Sequence, residues 1–333
     1  MRLDIRYRTS FTYENLVRES QNELRACPTS DDQQELIAYR VHTSPGSKVY
    51  SFTDYWGTRV DSFGLRLPHV ALEVVAEASV ETFQRPLLTV APHLDALRDP
   101  SFLDTRYEYL QPSPHTQWGR GIEVEAQRQH DFVGDDVVSL VLALHRVTGA
   151  RLTYARGATD VGIAVEDVLA QGKGVCQDYA HLAVALCRSQ GIPARYVSGY
   201  LFTRNDSTGT DVEDGDVVNV QTHAWFEAAI PGFGWLALDP TNQQEVGVRH
   251  VKIGHGRDYD DVQPLRGIFS GGAMPSVDPT VEIRRVRATA APARERTTPD
   301  PYLLNEQARS RQARELEALE RAQHQQQQQQ QQQ

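Results

Sequence analysis

One stretch constrains this chain more than any other: GKGVCQDYAHLAVALCRSQGIPARYVSGY, Gly172 to Tyr200. Tyr179, Leu182, Ala183, Leu186 and Cys187 recur at helical spacing, so a helix with a buried face starts close to Cys176. Gly191 and Pro193 stop it. Cys176 therefore sits where the loop Gly172-Lys173-Gly174 gives way to helix. The positive end of the backbone dipole stabilises a thiolate there, which makes Cys176 a candidate nucleophile.

Such a nucleophile needs a base. In THAWFEAAIPGFGWLALDPTN, Thr222 to Asn242, the set Ala224, Phe226 and Ala228 reads as one face of a strand. Pro231-Gly232-Phe233-Gly234 is a turn, and Trp235 to Leu238 is a second short strand. His223 opens the first strand and Asp239 closes the second. Pairing across the turn brings imidazole and carboxylate within hydrogen-bond reach, the order of groups a nucleophile, a base and its orienting partner require.

These blocks carry a resemblance. Gly-x-Gly-x-Cys before a helix, Gly-Ile-Pro-Ala-Arg after it, His-Ala-Trp-x-Glu, and Gly-x-Gly-Trp-x-x-x-Asp-Pro-Thr are similar to the bacterial transglutaminase-like family. His255 to Val262, with Pro264 after it, resembles a stretch that follows the core in that family, and the N-terminal segment resembles its preceding β-rich domain. The resemblance spans residues 1 to 288. It implies an α+β fold: an N-terminal antiparallel β domain, then a papain-like transglutaminase core. In that core a helix bearing Cys packs on an antiparallel sheet bearing His and Asp. It also implies a triad of Cys176, His223 and Asp239, acting on an amide carbonyl of a protein or peptide through a thioester. The acyl group would go to water, as in a cysteine peptidase or amidase, or to an amine, as in a transglutaminase. No metal or organic cofactor is expected. A non-catalytic peptide-binding or assembly module on the same fold is the alternative.

Length and composition set the frame. A chain of 333 residues suggests about two domains. The expected divisions are a β-rich domain at 1–86, a proline-punctuated connector at 87–130, the core at 131–288, and a linker, helix and poly-Gln tail at 289–333. With 34 basic against 44 acidic residues the net charge is −10, which argues against non-specific nucleic-acid binding. No run approaches the roughly 18 apolar residues of a membrane helix, and no membrane partner is expected. The N-terminus lacks a signal-peptide core. Three cysteines, Cys27, Cys176 and Cys187, make no disulfide framework. A reduced cytoplasmic location follows as the default, while oligomeric state is not legible.

In the first domain, Leu3, Ile5 and Tyr7 alternate with charged residues as in a strand, and Leu36–Thr43 and Lys48–Thr53 read as a hairpin across Ser44-Pro45-Gly46-Ser47. Asp135 to Val147 reads as a helix ended by Gly149, residues 244–275 as loop-rich with many glycines, and Val277–Val286 as a closing strand.

The remaining candidates are weighed the same way. Cys187 falls in the apolar pattern of the Cys176 helix, and Cys27 precedes Pro28, so both read as structural. Trp225 and Glu227 share the His223 face: the first as a cleft or core wall, the second as a supporting group or a surface charge. Trp235 reads as core. Asp178 suits a helix's first turn. Gln171 is a candidate oxyanion donor beside the surer backbone N–H of Cys176. His250, His255, Arg257 and Asp258 lack metal-ligand spacing.

Overall fold

The computed structural model describes residues 1–157, 159, 162–203, 217–271 and 276–286. The chain divides into one unit of Met1–Arg287 and a second of Ala288–Gln333. The second unit, with its expected helix and poly-Gln tail, and the acidic run 204–216, which the sequence leads one to expect as a polar loop, lie outside the described residues.

The first six strands are β1 (Arg2–Val17), β2 (Glu19–Leu24), β3 (Gln34–Ser44), β4 (Val49–Thr53), β5 (Arg59–Leu65) and β6 (His69–Thr82). The helical layer follows, with α1 (Pro100–Asp104), α2 (Arg120–Val133) and α3 (Val137–Arg151). Next come β7 (Thr153–Tyr154), α4 (Val165–Gln171), β8 (Lys173–Gly174), α5 (Cys176–Ser189), β9 (Ala194–Leu201) and β10 (Val217–Val220). The chain then forms β11 (Thr222–Ile230), β12 (Gly234–Asp239), β13 (Gln244–Glu245), β14 (His250–Gly256), β15 (Leu265–Ser270) and β16 (Ser276–Val286).

Two antiparallel sheets make the β-rich part, in the orders β10-β16-β1-β6-β3 and β15-β2-β5-β4. The alternation read in β1 is real: Leu3, Ile5 and Tyr7 are buried and Arg6 and Arg8 are exposed. Between the sheets they meet Leu24, Phe63 and Leu65. The expected hairpin at Ser44–Ser47 does not form. β3 pairs with β6, from Gln34↔Thr82 to Ser44↔Glu73, while β4 pairs with β5. The turn residues carry the chain from one sheet to the other, because each strand finds its ladder elsewhere.

The β-rich part is also completed from far down the chain. β16 pairs with β1, β10 with β16, and β15 with β2. The closing strand Val277–Val286 thus joins the N-terminal sheet, and the span expected as core at 131–288 contains three strands that hydrogen-bond into the β-rich sheets.

A third sheet has the order β13-β12-β11-β9-β14, with α5 against it, and β7 and β8 form a two-stranded fourth. Eleven of the fourteen α5 residues are buried, from Asp178 to Arg188. Leu182, Leu186, Phe226, Ile230 and Leu238 belong to one core with Leu140 and Leu144 of α3. Two helices differ from expectation. α2 falls inside the expected connector; only Ile122, Glu125 and Ala126 of it are buried, too narrow a stripe to read from sequence. α3 runs through Gly149 instead of ending there. A Cβ at Gly149 would lie 1.8 Å from Gln243 Nε2 and 2.9 Å from the Pro240 carbonyl oxygen, so the glycine admits the turn after Asp239. The loop-rich stretch 244–275 also holds β13, β14 and β15.

Candidate active site

α4 ends at Gly172, whose φ of +65° is the left-handed conformation that favours glycine. β8 then pairs in parallel with β7, and Val175, extended, precedes α5. Asp178 closes the first turn of α5. Its Oδ2 accepts from the Val175 N–H at 2.8 Å and from the Thr159 hydroxyl at 2.7 Å. Asp178 is thus a capping carboxylate, and Gly174 leaves room for it, since a Cβ there would lie 2.7 Å from Asp178 Cβ. Cys176, partly exposed, is left on the opening turn, where the N–H groups of Cys176 and Gln177 have no partner inside the helix.

β11 lies between β9 and β12, in registers His223↔Gly199 and Phe226↔Leu238. His223 Nε2 and Asp239 Oδ2 are 2.8 Å apart. The Cys176 sulfur is the second group that acts on this imidazole, and both line one cleft. With Nε2 engaged by Asp239, Nδ1 is the ring nitrogen left for sulfur. The structure therefore brings Cys176, His223 and Asp239 together in that order.

Asp239 is fully buried and saturated with donors. Oδ1 accepts the backbone N–H groups of Thr241 at 3.0 Å and Asn242 at 3.2 Å. Oδ2 accepts Asn242 Nδ2 at 2.7 Å and lies 3.2 Å from His250 Nε2. Burial alone would raise its pKa, but the hydrogen bonds from His223, His250 and Asn242 outweigh it and hold the carboxyl well below its usual range. For His223, burial opposes the charge, and the hydrogen bonds with Asp239 and Cys176 outweigh that, raising its pKa to about 10. The imidazole is a cation at neutral pH.

Sequence reading missed His250 and Asn242. Asp239-Pro240-Thr241-Asn242 carried an Asx-turn signal that could have flagged Asn242. Alternating Val251 and Ile253 beside His250 mark a strand, but nothing local marks its target.

A cleft of about 760 Å³ opens over the sulfur, walled by Tyr154, Gln177, Tyr196, His223, Asn242 and Tyr259. Gln177 lines it, whereas Gln171 is exposed at the end of α4 and is not on the wall, so the structure offers Gln171 no oxyanion role. Trp225, fully buried, packs beneath, its ring 6.2 Å from His223 and 5.4 Å from His250. Glu227 turns out to be neither a surface charge nor a partner of His223. It is buried and binds Lys252 Nζ at 2.8 and 2.9 Å and Arg195 Nε at 2.6 Å. Trp235 is only partly buried, with the Arg195 guanidinium 3.9 Å from its ring centroid. Cys27 and Cys187 are buried, and burial pushes both thiols up to about 12.

Among the described residues, two groups stand close enough to hold a metal: His223, Asp239 and His250, and His115, Asp258 and Asp260. The first is accounted for by hydrogen bonds. In the second, Asp258 accepts the backbone N–H groups of His115 and Asp260. The four residues read together near the C-terminal end of the core go separate ways. His250 turns to Asp239, Arg257 pairs with Asp261, and His255 is held neutral by burial and by the nearby Lys252 and Arg195 charges.

With this geometry in place, comparison with known proteins is informative. Residues 126–240 match the transglutaminase-like superfamily, and residues 3–81 match the bacterial transglutaminase-like N-terminal region. An uncharacterized protein of Mycobacterium leprae is 36% identical over 285 residues, covering 86% of this chain and 99% of its own length. A protein-glutamine gamma-glutamyltransferase of Pseudomonas aeruginosa is 31% identical over 194 residues, 55% of this chain but only 28% of that protein. The solved structure of a candidate cysteine protease from Cytophaga hutchinsonii shares the fold, with a TM-score of 0.66 at 24% identity over 85% of this chain and 90% of that one. The chain belongs to the transglutaminase-like superfamily, with the bacterial N-terminal region joined to its core.

Proposed function

We propose that the chain is a thiol-dependent acyl-transfer enzyme that cleaves an amide of a peptide or protein. Cys176, as the thiolate paired with the His223 imidazolium, attacks the carbonyl carbon through Sγ, forming an S–C bond as the carbonyl π electrons move to oxygen. The oxyanion is met by the free N–H groups at the start of α5. As the C–N bond breaks, His223 gives its proton to the departing ammonia or amine, leaving a thioester on Cys176. Water then attacks the thioester, His223 takes its proton, and the thiol returns with release of the acid. Asp239 holds the ring throughout and balances its charge. The single observation that carries this reading is His223, hydrogen-bonded to buried Asp239 and sharing an open cleft with the Cys176 sulfur that acts on its ring. A pure binding module has no use for a cation so placed.

An amine can replace water in the second half. The partial likeness to a protein-glutamine gamma-glutamyltransferase favours keeping that outcome as the second reading. Hydrolysis is preferred because it asks only for the triad and water, whereas transfer asks in addition for a site that holds the amine.

Mass spectrometry of the protein with glutamine-containing peptides, with and without a primary amine, tests both. Ammonia release with a deamidated or cleaved peptide supports hydrolysis, and amine incorporation supports transfer. Cys176→Ala abolishes all products. Turnover that survives Cys176→Ala overturns the proposal.

A further inference from the structure

We infer that His250 is a positioning residue for this site: its Nε2–H, shared onto the same carboxylate oxygen that holds His223, sets how tightly Asp239 grips the imidazolium. This rests on the acyl-transfer reading above.

The tautomer of His250 follows from its neighbours. The Gly247 N–H donates to His250 Nδ1 at 3.2 Å, so in the neutral ring the hydrogen is on Nε2. That Nε2 faces Asp239 Oδ2 at 3.2 Å, and the same oxygen takes His223 at 2.8 Å and Asn242 Nδ2 at 2.7 Å. Asp239, His223 and Arg85 are the charged and titratable groups acting on His250, while Asp239 and Cys176 act on His223. Burial lowers the His250 pKa against the pull of Asp239, so it serves as a neutral donor. The ring is 6% exposed and its edge meets Trp225, which leaves it no route to substrate. Within the triad its hydrogen bond is to the carboxylate.

A donor on Oδ2 withdraws charge that would otherwise bind the imidazolium. Without it, His223 holds its proton more tightly and becomes a weaker acid toward the leaving amine. Oδ2 also loses one of the groups that fix its direction.

Two near-isosteric variants separate this role from a purely structural one. Gln at 250 places an N–H donor where Nε2 stood but loses the Gly247 contact. Asn can accept from Gly247 but does not reach Asp239. In the full-length protein, each variant is measured for melting temperature, for kcat and KM on a glutamine-containing peptide, and for the pH profile of Cys176 alkylation by iodoacetamide.

For His250→Asn the expected result is a kcat about tenfold below wild type, KM within twofold, and an upward shift of the high-pH limb of alkylation. His250→Gln stays within about threefold of wild type with the limb in place. Equal losses in both variants, or an alkylation limb that His250→Asn leaves unmoved, overturn the inference. If wild type turns over no peptide, it is the acyl-transfer reading that fails. The alkylation limb needs only Cys176 and His223, and still decides whether His250 acts on the pair.

Discussion

His223 Nε2 lies 2.8 Å from Asp239 Oδ2, and that carboxylate is wholly closed to solvent. Burial favours loss of the His223 proton, and Asp239 and the Cys176 sulfur outweigh it, raising the pKa to about 10. The raised value fixes the sign. The imidazolium is present below its folded pKa and is lost as pH rises through it, so activity that needs an acid at His223 falls on the alkaline side. In Asp239→Asn the carboxylate charge is gone while burial remains, so the limb moves down toward neutrality. kcat at pH 7 falls by about 10²-fold or more. Steady-state rates from pH 6 to 11 check this; an unmoved limb contradicts it.

Glu227 should dominate the stability of the sheet behind the site. It is buried against Arg195 and Lys252, and their charges outweigh burial to hold its carboxyl well below the usual range. Lys252 is itself lowered to about 8 by burial and the neighbouring Arg195. A depressed carboxylate contributes stability that is present above its unfolded value of 4.5 and lost as pH falls below it. Glu227→Gln leaves two buried cations without their anion and costs about 3–5 kcal/mol. Urea denaturation at pH 7 measures the loss, and the same titration at pH 3 should show a smaller gap between variant and wild type.

Gly199 is the point where β9 must stay bare. A Cβ there would lie 2.2 Å from the Val251 carbonyl oxygen and 2.5 Å from Trp225 Cη2. Gly199→Ala forces β14 or the indole to move, at a cost of about 1–3 kcal/mol or more. Trp225 packs under both His223 and His250, so Cys176 alkylation should change along with the denaturation midpoint. A variant with wild-type stability and reactivity would show that the floor of the site is more pliable than the packing indicates.

The three thiols should separate cleanly. Burial raises both Cys27 and Cys187 to about 12, while Cys176 opens on the cleft. Native protein at pH 7 with limiting iodoacetamide should be labelled at Cys176 alone, and denatured protein at all three. Peptide mapping reads the positions; native labelling of Cys187 would mean that α5 opens.

Local chemistry made part of this legible in the sequence. The helix stop at Gly191-Ile192-Pro193, the turn at Pro231–Gly234 and the alternation around His223 are short-range signals, and they place the helix start, the hairpin and its two ends. Long-range pairing leaves no such mark. Nothing in Val277–Val286 says that it joins β1, and a turn as plain as Ser44–Ser47 passes between sheets instead of closing a hairpin. Charge placement was equally hidden. Glu227 reads as a polar strand residue until Lys252, 25 positions away, is seen against it. His250 has the same character, since its role comes from the carboxylate it reaches and from no neighbour in sequence.

The most direct measurement is the rate of Cys176 alkylation at pH 5.5 in wild type and His223→Ala, against free cysteine. A sulfur facing an imidazolium at a helix start should react far faster than free cysteine, and His223→Ala should abolish the advantage. A wild-type rate no faster than free cysteine, or one that His223→Ala leaves intact, would contradict the pairing of Cys176 with His223 on which the account depends.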